Sequence, residues 1–267
     1  MSEEEQAIEL VDSHCHLNGD FGARTTGQVI SDAQASGVRF MVTVGVEIAT
    51  LPRLREISEK NACVFHTAGV HPHEASTLTP SDVDILLQAA RHPKCRAIGE
   101  LGLDYYYDHS PRDVQRSVME QQLEVALQSK LPVVIHTRDA ETDQLEALTR
   151  YRKKLPEGQI PGVLHCFTGT RIFAEACVEM GFYVSFSGIL TFKNADDLRS
   201  TAKALPLDRL LVATDSPFLA PIPMRGKKCE PAYVRYTAMK LAEVRGIPFA
   251  EVAKATTANA RHVFKLT

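Results

Sequence analysis

IELVDSHCH, at residues 8–16, is an apolar run that ends in a His-x-His pair. Residues i and i+2 of a β-strand project from the same face, so His14 and His16 would lie side by side. Two adjacent imidazoles can share a metal ion, although polar residues are also common where a strand meets a loop. The significance of this pair therefore depends on whether further ligands recur at equivalent places along the chain.

Short apolar runs alternate with longer amphipathic stretches, which predicts strands that alternate with helices. The predicted strands are 8–16, 38–45, 63–71, 96–104, 132–138, 162–168, 182–188 and 209–216. The predicted helices are 26–36, 51–60, 81–91, 112–129, 141–151, 172–180, 196–204, 230–245 and 249–264. This order indicates a parallel sheet whose strands are joined by helices.

The first turn separates the two common folds of this kind. An open doubly wound sheet would carry a Gly-rich phosphate-binding turn after its first strand. The turn here is HCHLNG at residues 14–19, which lacks a GxGxxG pattern. Eight strand–helix units in 267 residues match the size of a (β/α)₈ barrel. We therefore predict an α/β protein with a TIM-barrel fold, in which residues 1–267 form a single domain.

The composition is that of an ordinary globular enzyme, with 44% hydrophobic and 24% charged residues. The net charge of −3 is unlike that of a protein that grips long duplex DNA through many phosphates. The acidic start, MSEEE, lacks the features of a secretory signal, and no run of 18 apolar residues predicts a membrane span. The six cysteines form no Cys-x-x-Cys pair, so we expect reduced thiols. The expected location is the cytoplasm, with no evident obligate protein partner.

Five predicted strands carry a histidine or a carboxylate at the carboxyl end, where parallel barrels place their active sites. These residues are His14, His16, Glu100, His136, His165 and Asp215. Each histidine taken alone has an ordinary explanation as a core or rim side chain. Buried carboxylates such as Glu100 and Asp215 need a cationic partner. Four imidazoles and two carboxylates at one end of a barrel therefore predict a metal centre.

Six ligands exceed one tetrahedral site with an open position, and they suit two divalent ions that share a carboxylate. Glu100 lies on the strand midway round the barrel and is the expected bridge. Two such ions can clamp the attacking and leaving oxygens of a displacement at phosphorus. The mixed nitrogen and oxygen ligands are compatible with Mg²⁺, Mn²⁺ or Zn²⁺.

Six motifs together resemble those of the TatD family of metal-dependent deoxyribonucleases, within the amidohydrolase superfamily. They are DSHCHL (12–17), GVHPH (69–73), GELGLDYY (99–106), HTRDA (136–140), LHCFTG (164–169) and TDSP (214–217). The resemblance implies a distorted TIM barrel that hydrolyses DNA phosphodiester bonds, typically as a 3′→5′ exonuclease with Mg²⁺ or another divalent ion. It implies that one ion is held by His14, His16, Glu100 and Asp215. The other would be held by Glu100, His136 and His165.

Other residues are candidates for roles around the metal centre. Asp215 is a candidate general base for the attacking water, with a purely ligating role as the alternative. His71 and Arg138 are expected at the rim as phosphate contacts, and a surface salt bridge or a loop hydrogen bond is the competing interpretation. Tyr105 and Tyr106 could stack on a base, although we expect at least one of them to pack under the following loop.

The sequence therefore predicts a two-metal hydrolase that cleaves phosphodiesters at the end of single-stranded or frayed DNA. One alternative is hydrolysis of a small-molecule amide, ester or phosphoester, because the loops of a barrel set its chemistry. Glu100 stands where a cyclic amidase would carry a carbamylated lysine, which argues against the cyclic-amidase branch of the superfamily. The second alternative is a non-catalytic metal-binding scaffold, which missing ligands would favour; none of the six is missing.

Overall fold

The computed structural model describes residues 8–267, so the acidic start at residues 1–5 lies outside the described residues. Eight parallel strands form one sheet in chain order. The strands are β1 (Leu10–Cys15), β2 (Val38–Thr43), β3 (Val64–Ala68), β4 (Cys95–Asp104), β5 (Val133–Arg138), β6 (Gly162–Leu164), β7 (Tyr183–Phe186) and β8 (Leu210–Val212). The helices are α1 (Thr26–Ala35), α2 (Leu51–Lys60), α3 (Asp82–Ala90), α4 (Arg112–Ser129), α5 (Glu141–Lys154), α6 (Arg171–Glu179), α7 (Asp196–Ala204), α8 (Val234–Arg245) and α9 (Phe249–Phe264).

The sheet closes into a barrel where the chain beyond β8 meets β1. An isolated bridge joins Cys15 to Ser216, and the Ser216 carbonyl accepts a hydrogen bond from the His16 amide at 2.7 Å. The Asp215 amide donates to the His14 carbonyl at 2.9 Å. The predicted TIM-barrel fold is confirmed, and the backbone bonds that close it involve three of the predicted ligands.

Apolar side chains alternate between the two faces of the barrel wall. Val134 and Val163 belong to a lumen core, whereas Ile135 and Leu164 pack against the surrounding helices. The lumen core also contains Phe264, at the end of α9. This helix therefore covers one end of the barrel and leaves the carboxyl ends of the strands open.

Two β-bulges turn key side chains into the lumen. In β1, the three-residue step from Asp12 to Cys15 opposes a two-residue step in β2. In β4, the step from Ile98 to Leu101 likewise opposes a two-residue step in β5. A bulge adds one residue, so the side chains beyond it change faces. The bulges direct Glu100 and the histidine pair of β1 towards the barrel axis.

Several predicted elements are longer than the observed ones. β6 ends at Leu164 and β8 at Val212, so His165 and Asp215 lie just beyond their strands. The predicted helix 230–245 begins at Val234, after a single 3₁₀ turn over Pro231–Tyr233. The pairing of β6 and β8 with their neighbouring strands stops where the chain leaves the sheet to form the site.

Among the described residues, no helix has the length and the apolar composition that a membrane span requires.

Candidate metal centre

The Glu100 carboxylate lies at the centre of the open barrel end, surrounded by imidazoles. Its Oε1 lies 3.3 Å from Nε2 of His71, 3.0 Å from Nδ1 of His136 and 2.5 Å from Nε2 of His165. Its Oε2 lies 3.3 Å from Nε2 of His14. Glu100 is only 2% exposed. The two oxygens of one buried carboxylate thus face different imidazoles, three around Oε1 and one beside Oε2.

Asp215 completes the group on the Oε2 side of Glu100. Its Oδ1 lies 3.5 Å from Nε2 of His14 and 3.3 Å from Nε2 of His16. Both ring nitrogens of His14 are buried and make no hydrogen bond within residues 8–267, although Nε2 lies 3.3 Å from Oε2 of Glu100. A buried polar atom without a partner is costly, and an imidazole nitrogen is a good ligand for a divalent ion. The residues present therefore fit a metal ion.

The potential ligand atoms form three overlapping groups, in each of which the atoms lie within 4.8 Å of one another. The groups are His14, His165 and Asp215; His14, His16 and Glu100; and His71, Glu100 and His136. The structure thus brings all six predicted ligands together and adds His71. Their roles as ligands stay predictions.

Charges within the cluster keep its carboxylates ionised and His14 neutral, whereas Asp104 and Glu100 outweigh burial and raise the pKa of His136 to about 9. Burial alone would raise the pKa of Glu100, but the imidazoles of His165, His71 and His14 hold this pKa well below its usual value. Burial and the neighbouring His165 lower the pKa of His14 to about 4. Burial opposes ionisation of Asp215, yet His16 and His14 lower its pKa to about 2. At neutral pH the carboxylates are ionised and His14 is neutral, as metal binding requires.

Asp104 orients the histidine of β5 from outside the ligand group. Its Oδ2 lies 3.0 Å from Nε2 of both His136 and His73. Its Oδ1 accepts hydrogen bonds from the amides of Tyr106 and Tyr107, at 3.1 and 2.9 Å. A carboxylate on the far nitrogen of a ligating histidine fixes the tautomer and the ring plane. The sequence analysis did not single out Asp104 or His73.

The structure places the predicted rim residues at different depths. The Arg138 guanidinium lies over the rings of Tyr106 and Tyr107, 4.1 and 4.8 Å from their centroids. His71 lies deeper, against Glu100, with 12% of its side chain exposed. The predicted phosphate contacts of Arg138 and His71 stay predictions.

The two tyrosines proposed for stacking differ in their surroundings. The Tyr105 hydroxyl donates to Asp143 at 2.6 Å, and the Arg112 guanidinium lies 4.4 Å from the centre of its ring. Tyr106 is 58% exposed. Tyr105 is thus held by residues of α4 and α5, whereas Tyr106 is open to solvent.

A cavity of about 720 Å³ opens above the metal centre. Its walls include Glu100, Asp215, Arg138, Tyr107 and Phe218. Phe218, which is 60% exposed, was not predicted, because its place beyond β8 carries no recognisable spacing. The cavity gives a substrate direct access to the predicted ligands.

A parallel α/β barrel with clustered histidines and carboxylates at the carboxyl ends of its strands has the architecture of a metal-dependent barrel hydrolase. Residues 11–265 match the sequence model of the family described as TatD related DNase, and the chain belongs to this family. The predicted family is thereby confirmed. The predicted class, a metal-dependent hydrolase acting on ester bonds, is confirmed at the level of the family.

Relatives cover the chain almost completely. It is 40% identical over 257 residues to the uncharacterized metal-dependent hydrolase YabD of Bacillus subtilis, covering 96% of this chain and 99% of the relative. It is 40% identical over 260 residues to the uncharacterized metal-dependent hydrolase YcfH of Escherichia coli, covering 96% of each. It is 33% identical to the 3′-5′ ssDNA/RNA exonuclease TatD of Citrobacter koseri, covering 96% of this chain and 98% of the relative.

A solved structure has the same fold over nearly the same length. The TatD homologue YjjV of Escherichia coli superposes with a TM-score of 0.88 at 27% identity. The comparison covers 97% of this chain and 98% of the homologue. The barrel and its order of strands are therefore shared within the family.

Proposed function

We propose that the protein hydrolyses DNA phosphodiester bonds at a two-metal centre, as a 3′→5′ exonuclease on single-stranded or frayed ends. The observation that carries this proposal is the division of the Glu100 carboxylate, whose Oε1 faces three histidines while its Oε2 faces His14. The family and the name of the Citrobacter koseri relative support nucleic acid as the substrate class.

The ligands fall into two sets that share Glu100. The first set would be His14, His16, Glu100 and Asp215. The second set would be Glu100, His136 and His165. When bound, two divalent ions such as Mg²⁺, Mn²⁺ or Zn²⁺ supply Lewis-acid chemistry, which neutralises phosphate charge and lowers the pKa of water.

The chain's own residues supply proton transfer and orientation. Asp215 faces the cavity and is ionised at neutral pH, the form in which a carboxylate accepts a proton from the attacking water. Arg138 at the end of β5 and His71, which follows β3, also line the cavity. They would hold the non-bridging oxygens of the phosphate. Cleavage would follow from an oriented phosphodiester beside an ionised base.

The small number of positive charges in the cavity supports cleavage at the ends of DNA strands. Among the described residues that line it, the lysine and arginine side chains are those of Arg138 and Lys228. Lys228 is paired with Asp20 at 2.7 Å, so its charge is partly compensated. Binding along a duplex uses many cationic contacts, whereas one terminal phosphodiester needs few. We place the reaction in the cytoplasm, as the sequence analysis expects.

A cleavage assay tests this proposal. Purified protein is supplied with Mg²⁺, Mn²⁺ or Zn²⁺ and offered single-stranded DNA labelled at the 5′ end, with blunt duplex DNA alongside. A 3′→5′ exonuclease produces a ladder of progressively shorter labelled products from the single strand, and Glu100→Gln protein produces none. Turnover of small esters or lactams without any DNA ladder would contradict the proposal.

A further inference from the structure

We propose that Phe218 is a stacking platform for an unpaired nucleobase next to the scissile phosphodiester, and that it selects frayed or single-stranded ends. This inference rests on the proposed function and adds a specificity-determining residue to it. Phe218 is 60% exposed, and it lies in the wall of the cavity beside the metal centre. An aromatic ring left this open at the mouth of a site is available to a planar ligand.

The backbone and the surroundings of Phe218 fix its position relative to the predicted ligands. Its amide donates a hydrogen bond to the Asp215 carbonyl at 3.0 Å. Its ring lies edge-on to His16, with the two ring centres 6.0 Å apart. A base that stacks on this ring would therefore adjoin the phosphodiester at the metal centre.

Phe218 has apolar neighbours in the cavity wall. Leu219 and Ile189 also line the cavity on this side. The loops that carry these residues are in close contact, since a Cβ on Gly188 would lie 2.2 Å from the Leu219 carbonyl oxygen. The three side chains form an apolar surface that suits the face of a base, and the nearby charge of Lys228 is paired with Asp20.

The opposite wall is polar and suits the sugar-phosphate backbone. Tyr107 follows β4, which lies four strands from β8 in either direction round the eight-stranded barrel. The Arg138 guanidinium is held over Tyr106 and Tyr107 on that side. The end of a DNA strand thus has a place for its base beside Phe218 and a place for its phosphate oxygens beside Arg138. A paired terminal base could lie flat on Phe218 only if the complementary strand entered the cavity with it, so the arrangement favours unpaired ends.

Abasic oligonucleotides distinguish base stacking from a structural role of Phe218. The kcat/KM of Mg²⁺-loaded protein is measured on single strands that carry a normal residue or an abasic residue at the terminal or the penultimate 3′ position. We expect Phe218→Ala to lower kcat/KM about 10- to 100-fold on the normal strand. On the strand whose abasic residue removes the stacked base, the same substitution changes nothing. Phe218→Trp retains the wild-type preference.

Two comparisons complete the experiment. Met239→Ala removes a 46% exposed apolar side chain from α8, outside the cavity, and leaves kcat/KM unchanged on every strand. A terminal 2-aminopurine is quenched on binding to the wild type and much less on binding to Phe218→Ala. Equal losses for Phe218→Ala on normal and all abasic strands would overturn the stacking role while the nuclease proposal stands. Failure of the wild type to cleave any strand would instead overturn the proposed function.

Discussion

Asp12 in β1 and Thr214 just beyond β8 are joined by two hydrogen bonds at the closure of the barrel. The Thr214 amide donates to Oδ1 of Asp12 at 2.9 Å, and the Thr214 hydroxyl donates to Oδ2 at 2.5 Å. Both residues are fully buried. These bonds fix the chain two residues before His14 and one residue before Asp215, so barrel closure and the geometry of the metal centre depend on the same pair.

Asp12→Ala should destabilise the fold. The substitution leaves the buried amide and hydroxyl of Thr214 without acceptors, at a cost of about 1–3 kcal/mol in the free energy of unfolding. Urea denaturation in excess chelator measures this loss without a contribution from metal binding. Asp84→Ala, at an exposed position on α3, is the matched control. Equal stabilities of the two variants would show that the pair does not close the barrel.

Asp104→Asn should weaken metal binding through His136. The carboxylate accepts from Nε2 of His136, whose Nδ1 faces Glu100 at 3.0 Å. An amide in its place can no longer accept from His136 and His73 with the same strength, and such outer partners contribute about 10- to 100-fold to metal affinity. Calorimetric titration with Mn²⁺ measures the affinity directly. Wild-type affinity in the variant would exclude an orienting role.

Gly102→Ala should be strongly destabilising because β4 and β5 are in close contact there. Gly102 has a φ of +145°, and a Cβ at this position would lie 1.9 Å from the His136 carbonyl oxygen. We expect a loss of about 3 kcal/mol in the free energy of unfolding, measured by urea denaturation. Gly226→Ala is the control, since Gly226 also has a positive φ but no atom of the described residues would lie within 4 Å of a Cβ there. Similar losses in both variants would indicate backbone strain alone.

His66 should make the fold sensitive to acid, away from the metal centre. Burial, together with the charges of His92 and Arg55, lowers the pKa of His66 to about 4 from 6.5. Between these values the unfolded chain binds a proton that the folded chain does not, so the contribution to stability is present above pH 6.5 and is lost as the pH falls. Its full size is about 3 kcal/mol.

His66→Gln tests this dependence. We expect the variant to lose less stability than the wild type between pH 6.5 and 4.5, as measured by urea denaturation in chelator. The facing groups Glu59 and Lys94 are unchanged in this comparison. His262→Gln, at an exposed position on α9, should follow the wild-type profile. An unchanged slope in His66→Gln would show that His66 is protonated in the folded chain.

The fold and the six predicted ligands followed from local patterns in the sequence. An apolar run ending in a histidine or a carboxylate marks a strand and its position at the barrel mouth without any knowledge of its neighbours. The bulge before Glu100 could not be predicted, because register depends on the partner strand. Phe218 lies on a loop, where no periodicity constrains a side chain. Asp104 could have been predicted, because the alternation of side chains from Glu100 through Gly102 places it on the same face of the strand as Glu100.

Anomalous diffraction from crystals loaded with Mn²⁺ would locate the ions relative to Glu100. Two peaks about 3.5–4 Å apart, one beside each oxygen of the Glu100 carboxylate, are expected if this residue bridges a two-metal centre. In Glu100→Gln crystals at least one of these peaks should be lost. A single peak in the wild type, or two peaks that do not flank Glu100, would contradict the bridging centre.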